Sequence, residues 1–377
     1  MNIMVMAGGC KAGGGIQVAD SICRNLNRYP NHRFIVVLSN KLEYLDEVLA
    51  EYKNIKIVHY TTYNSVYTLL TGRDKFLDNI VLKHNIDIVN FVFGPSLWIP
   101  KVLTVAGFAM AHLLLQESPY WATLSKREFV SIKFKNYLQK KNFDKLSACY
   151  YTENPYITDR LKKMFKDKRV DTITNCCHQV FDNPNLWDRS ITLPKFEGHT
   201  LLTICAPYPH KNLGTIPQII DILTSDYPNF KVRFVVTCEF EDIPNLGQRH
   251  RGQIVCLGKV NINQCPWLYI QSDAMFLPTM LECFSANYVE AMKMHKPILT
   301  SDLGFATGLC GAAAEYFNPI DVNDIARTIY KVLSNKIYVK RLVENGKKQL
   351  ELFDSSQGRT DKLINLLEVY YKQHSIN

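Results

Sequence analysis

Three groups of residues in this 377-residue chain have the types and spacing to do chemistry. The first is the stretch Gly8-Gly9-Cys10-Lys11-Ala12-Gly13-Gly14-Gly15, set between an apolar run (2–6) and a segment with helical spacing (16–26). Ile16 and Gln17 follow it, so the Lys-Ser/Thr pair that closes a P-loop is missing, and its glycines lack the GxGxxG spacing of a dinucleotide fingerprint. What it offers is backbone without Cβ at a helix N-terminus, where free amides hold an anion or a polar substrate. The second group, Pro209-His210-Lys211-Asn212, follows the apolar run 201–205 and opens a helix. That places a cation at the carboxyl edge of a parallel sheet, where ligands bind in such folds. Lys211 there either neutralises a phosphate or is a solvated turn lysine.

The third group runs from Leu277-Pro278-Thr279 through Glu282 to Glu290, from a loop into a helix. Carboxylates eight positions apart are separated by about 12 Å along a helix and turned by about 80°, so they do not share one metal ion. They reach the two ends of an extended ligand, with the amides of Phe284, Ser285 and Ala286 facing a diphosphate between them, or they are ordinary carboxylates favoured near a helix start. No Asp-x-Asp occurs in the chain, so no motif of that kind holds a divalent cation against a diphosphate. Lys211, helix N-termini and backbone amides are left to stabilise charge.

Composition limits the setting of this chemistry. Hydrophobic residues make up 47% and charged residues 21%, enough apolar surface for two medium domains or one large one. The net charge is +9, and residues 126–169, Lys126 and Arg169 included, hold 13 basic residues against five acidic ones. Almost the whole excess therefore lies on one stretch, suited to a lipid surface, a phosphorylated substrate or nucleic acid. No nucleic-acid motif accompanies the charge, so no nucleic-acid partner is expected. Residues 126–141 read as a helix with Val130, Phe134, Tyr137 and Leu138 on one side and lysines elsewhere, a pattern suited to anionic lipid. Eleven cysteines form no CxxC pair, which points to a reducing cytoplasm. The start of the chain has no basic lead-in or cleavage site, and residues 102–115 are too few for a membrane span, so they read as buried strand and loop.

These residues need elements to carry them. Apolar runs at 2–6, 34–38, 55–58, 86–93, 102–105 and 148–151 alternate with polar helical stretches, as parallel strands joined by crossover helices do. Residues 182–199 contain Pro184, Pro194 and Gly198 without periodicity and read as a linker. Strands are expected again at 201–205, 232–237, 254–257, 274–277 and 298–300, with helices at 213–223, 284–294, 322–333 and 337–350. The expected class is α/β, with two doubly wound domains at 1–181 and 200–355.

The segment from Glu282 with Leu277-Pro278-Thr279 before it, the Pro-His-Lys-Asn turn, and Pro297-Ile298-Leu299-Thr300-Ser301-Asp302 resemble the retaining glycosyltransferases of family four, the glycosyl transferases group 1. The resemblance covers most of residues 200–333 and adds the glycine loop of the first domain. It implies the GT-B fold, two Rossmann-like domains facing a central cleft, with a C-terminal helix in 356–377 that crosses back to the first domain. It implies a nucleoside-diphosphate-sugar donor, a glycan or lipid-linked saccharide acceptor, retention of anomeric configuration, and no metal or other cofactor. Residue by residue, it implies Lys211 as the cation on the donor diphosphate, Glu282 as the acid on the sugar hydroxyls and Glu290 as the acid on the ribose. Gly14 and Gly15 match the loop near the diphosphate and acceptor, and His112 stands where some relatives place a histidine near the sugar. His210, Asn212, Phe284, Ser285 and Ala286 complete the expected donor site. Cell-surface polysaccharide or lipopolysaccharide synthesis on the inner face of a membrane is the implied setting.

Three departures stand out. Ala206 occupies the position where many relatives have arginine, with His210 as a candidate replacement, and Cys283 and Ser285 replace glycines of the acid motif. A nucleotide-sugar epimerase and a catalytically silent glycan-binding protein of the same fold are the alternative expectations.

Overall fold

Short runs of β-branched and aromatic residues form two all-parallel sheets in the computed structural model, which describes residues 1–10, 13–61 and 66–375. The chain divides into two units, one of Met1–Gln116, Leu124–Cys176 and Asp354–Asn377, the other of Glu117–Thr123 and Cys177–Phe353. In the first unit, strands β1 (Asn2–Ala7), β2 (Arg33–Leu38), β3 (Ile55–His59), β4 (Ile88–Phe91), β5 (Leu103–Gly107), β6 (Cys149–Thr152) and β7 (Arg169–Thr172) lie in the order β3-β2-β1-β4-β5-β6-β7. In the second, β8 (His199–Thr203), β9 (Val232–Val236), β10 (Ile254–Cys256), β11 (Ala274–Leu277), β12 (Ile298–Ser301) and β13 (Ala314–Phe317) take the order β10-β9-β8-β11-β12-β13. Each sheet reverses its winding beside its first strand, between β1 and β4 and between β8 and β11, and such switch points open a crevice at the carboxyl ends of the strands.

The central strands are apolar on both faces because helices cover both sides of a doubly wound sheet, as Ile3, Val5, Val36 and Ile88 illustrate. Two edge strands escape a reading by apolar runs: β7 (Arg-Val-Asp-Thr) and β13 (Ala-Glu-Tyr-Phe) mix charged with apolar residues because each has one neighbour and a partly exposed face. Residues 102–115 contain β5 and then a short helix, Ala111–Leu114, where a loop is expected. The stretch 182–199 is tied along the second unit: Asp188 N–H donates to the Asn263 carbonyl (2.9 Å) and Leu193 N–H to Gln271 Oε1 (2.8 Å).

Helix ends follow local chemistry. Ser125 and Glu128 form a capping box at the start of the helix Lys126–Leu146. Asp321 accepts from the amides of Asn323 and Asp324 to start Val322–Leu333. The helix Ser356–Ser375 returns to the first unit, where Leu363, Ile364, Leu366, Leu367 and Tyr370 join its core. At Gly107 a Cβ would lie 2.1 Å from the Val92 carbonyl oxygen, so only glycine lets β5 pass the end of β4. Among the described residues, no helix is long and apolar enough to cross a membrane.

Candidate active site

The crevice of the second unit is built from two loops that leave the carboxyl ends of β8 and β11. After β8 the chain makes the single turn Pro209–Lys211, which ends because Asn212 is left-handed (φ 60°) and donates through Nδ2 to the Pro319 carbonyl (2.8 Å). This aims Lys211 at the loop after β11, where its Nζ forms an ion pair with Glu282 Oε1. Thr279 Oγ1 lies 3.2 Å both from that carboxylate oxygen and from the His210 carbonyl, which also accepts from the Met280 amide (2.8 Å). Burial works against the Lys211 ammonium, but the Glu282 carboxylate, with smaller help from Cys205, outweighs it and holds Lys211 above the ordinary lysine value. The lysine is therefore a fixed cation at the mouth of a parallel sheet. Burial also pushes the neighbouring Cys205 thiol up to about 11, so it is not a thiolate nucleophile at neutral pH.

Glu282 is not on the helix that carries Glu290. The helix spans Ala286–Lys293, so Glu282 lies in the loop before it, as the expected helix at 284–294 implies, and is positioned by Thr279 and Lys211; a helical separation of the two acids does not apply. Ser285 is the N-cap and makes no capping bond; its hydroxyl lies 3.3 Å from Asn287 Oδ1, while Asn287 Nδ2 donates to the Ile204 carbonyl (2.8 Å). That bond ties the helix start to the loop after β8. Phe284 packs edge-on against Phe353, with ring centroids 6.3 Å apart. Glu290 is buried one helical turn further in, where the Tyr269 hydroxyl donates to Oε2 (3.2 Å). Burial pushes its carboxyl up to about 7, against a smaller opposite effect of the Tyr269 bond.

His210 does not stand alone in place of an arginine. Its ring stacks on Tyr208 (5.6 Å, 10° between planes) and meets Tyr120 edge-on at 6.1 Å. Tyr120 belongs to Glu117–Thr123, an excursion that joins the second unit and is pinned where Ser118 Oγ donates to the Met280 carbonyl (2.6 Å). Ala206 is exposed at the start of this loop.

The remaining expected residues lie in the first unit. Gly14 and Gly15 open the helix Gly14–Cys23, whose N-cap Gly13 has φ 56°, a conformation glycine adopts without strain. Lys11 and Ala12 of the same loop lie outside the described residues. His112 sits on the short helix Ala111–Leu114 and donates from Nε2 to Gln139 Oε1 (3.1 Å), so its ring is spoken for on one side. Burial lowers its pKa, opposed by the Gln139 bond, so His112 is neutral at pH 7. Gln139 in turn lines a cavity of about 270 Å³ at the carboxyl ends of β1 and β4, together with Tyr60, Phe91, Phe93 and Trp98. This cavity is not foreseen from the sequence, although the Gly-Pro-Ser-Leu-Trp stretch after the run 86–93 marks the switch point that forms it. Thr279 falls within the third group but is given no role of its own there, and Tyr269 is unforeseen, because a single hydroxyl residue carries no spacing signal.

Residues 209–349, which contain Lys211, Glu282 and Glu290, match the family Glycosyl transferases group 1. No curated protein matches the chain by sequence. Among solved structures, a glycosyltransferase from Rickettsia africae superposes with a TM-score of 0.69 at 14% identity, over 99% of this chain and 97% of that one. Sucrose-phosphate synthase from Thermosynechococcus elongatus gives 0.67 at 12% identity over 99% of both chains. Anabaena HepE, solved in complex with UDP and glucose, gives 0.66 at 13% identity over 97% of this chain and 99% of that one. The fold is GT-B, two Rossmann-like units in tandem.

Proposed function

We propose that this chain is a retaining glycosyltransferase that moves a hexosyl group from a nucleoside-diphosphate sugar to a glycan or lipid-linked saccharide. The observation that carries the reading is the placement of Lys211 and Glu282 together at the carboxyl edge of β8 and β11, inside the stretch that matches the family. The UDP and glucose held by the Anabaena structure favour a donor of that class. Arrival of the diphosphate exchanges one anion for another at Lys211 and frees Glu282 to accept from sugar hydroxyls. Ribose hydroxyls donate to Glu290, and the amides of Phe284, Ser285 and Ala286 face the diphosphate. With His210 and Asn212 shaping the lysine loop, these groups supply the charge stabilisation without a metal ion. On the first unit, the Gly14 and Gly15 amides serve the diphosphate and acceptor, and neutral His112 acts as a polar partner of the sugar.

In the step itself, the bond from the anomeric carbon to the diphosphate oxygen breaks as the acceptor oxygen bonds to the same face. The departing phosphate takes the acceptor hydroxyl proton, so the products are the glycoside and a nucleoside diphosphate. The reading sets this reaction in cell-surface polysaccharide or lipopolysaccharide synthesis, at the inner face of a membrane met by the cationic stretch 126–169. The test is product analysis: NMR of the glycoside formed with a saccharide acceptor should show the anomeric configuration of the donor. An inverted glycoside, or a donor epimer with no transfer, overturns the reading.

A further inference from the structure

The helix Lys126–Leu146 buries Phe143 and Leu146 in its last turns but turns an apolar stripe outward before them. Its protein-facing side includes the buried Asn136, whose Nδ2 donates to the His112 carbonyl (3.0 Å), and the half-buried Gln139 and Asn142 that line the first-unit cavity. Its solvent side carries Val130 (65% exposed), Phe134 (65%), Tyr137 (56%) and Leu138 (46%). The spacing i, i+4, i+7, i+8 places these four on one stripe of an α-helix, the positions a globular protein normally turns inward. Exposed Lys126, Arg127, Lys140, Lys141 and Lys145 flank the stripe, and Lys141 lies over the Tyr137 ring at 4.5 Å. With two acids against seven basic residues, the helix is strongly cationic. A second exposed apolar helix, Val66–Thr71, carries Val66, Leu69 and Leu70 outward, while its buried Thr68 lines the same cavity.

We infer that the stripe Val130–Phe134–Tyr137–Leu138 inserts into the headgroup region of an anionic membrane, with the flanking lysines on lipid phosphates. Apolar side chains ringed by lysine on one helix face match an interface that is apolar below and negative above. A second copy of the chain matches it poorly, because the same cations would be brought face to face. The inference deepens the proposed transfer reaction, on which its choice of a lipid-linked acceptor rests: the acceptor is met at the membrane beside the first-unit cavity. It goes beyond a general attraction of residues 126–169 for negative charge, since it requires four named side chains to leave water.

Flotation of the full chain with vesicles of phosphatidylcholine alone, or mixed with phosphatidylglycerol, tests it. Recovery with the mixed vesicles should exceed recovery with the neutral ones about tenfold. The double variant Phe134→Ser, Leu138→Ser should lose about tenfold in partitioning while keeping its far-UV circular dichroism, because both side chains are solvent-facing in the free protein. In the variant Tyr137→Trp, emission should shift to the blue on mixed vesicles only. Equal recovery with both vesicles, an unshifted Tyr137→Trp spectrum, or a double variant that floats like the wild type overturns the inference. So does a dimer in sedimentation that the double variant dissolves. Stabilisation by nucleotide sugars is measured alongside: its absence with flotation intact sinks the transfer reading and leaves the docking surface standing.

Discussion

At the scale of single residues, the site rests on the ion pair of Lys211 with Glu282 and on the buried Glu290. Lys211 is paired with Glu282 in the free protein, so Lys211→Ala removes the donor cation and leaves Glu282 nearly buried without its partner. Turnover of the sugar donor should fall by about 10²-fold or more, measured as nucleoside diphosphate release. Glu290 behaves differently. Its folded carboxyl is held at about 7 by burial, against an ordinary value of 4.5, so between those values the folded state binds a proton that the unfolded state has lost. The contribution of Glu290 to stability is therefore greatest below about 4.5, falls as pH rises to about 7, and is level above that. The loss is about 3 kcal/mol at most, and the buried Glu153, also held at about 7, adds a similar slope. Glu290→Gln should flatten the decline of Tm between pH 5 and pH 7 by about half, read by calorimetry across that range.

At the scale of elements, the loops after β8 and β11 are held by contacts from an excursion far away in sequence. Ser118 Oγ donates to the Met280 carbonyl, and the Met280 amide holds the His210 carbonyl beside Lys211. Ser118→Ala leaves a buried carbonyl short of a partner, a cost of about 1–3 kcal/mol, and should raise the KM for donor severalfold more than it lowers kcat. Gly107→Ala forces a Cβ against the Val92 carbonyl and should destabilise the first unit by about 3 kcal/mol or more in urea unfolding, with no change at the second unit's site.

The same elements show what was legible beforehand. Central strands such as β1, β2 and β11 read as continuous apolar runs because both of their faces are covered. The mixed edge strands β7 and β13 do not. Lys211 and Glu282 could be picked out by motif, but their ion pair spans 71 positions and no local pattern records it. Spacing alone leaves open whether Glu282 shares a helix with Glu290, and the start of the helix at Ala286 puts Glu282 in the loop before it. The apolar stripe of Lys126–Leu146 was visible as periodicity, whereas its outward direction depends on what Asn136 and Phe143 bury against.

At the scale of the whole molecule, the chain closes its first unit with its last helix. Arg359 is buried beside Glu153 (3.5 Å), donates to Asn175 Oδ1 (3.1 Å), and starts the face that places five apolar side chains in the first core. At about 1.5–3 kcal/mol for each buried side chain, the five side chains bury apolar surface worth on the order of 10 kcal/mol before the entropy of ordering the helix is counted. A chain ending at Phe353 should therefore lose the cooperative unfolding transition of the first unit in circular dichroism.

The central claim, that the second unit grips an activated sugar by its diphosphate through Lys211, is tested most directly by binding. Thermal shift of the wild type and of Lys211→Ala against UDP-, GDP- and CMP-sugars should show one nucleotide class that raises the Tm of the wild type and leaves the variant unmoved. Stabilisation of both proteins alike, or of neither by any nucleotide sugar, would contradict the account.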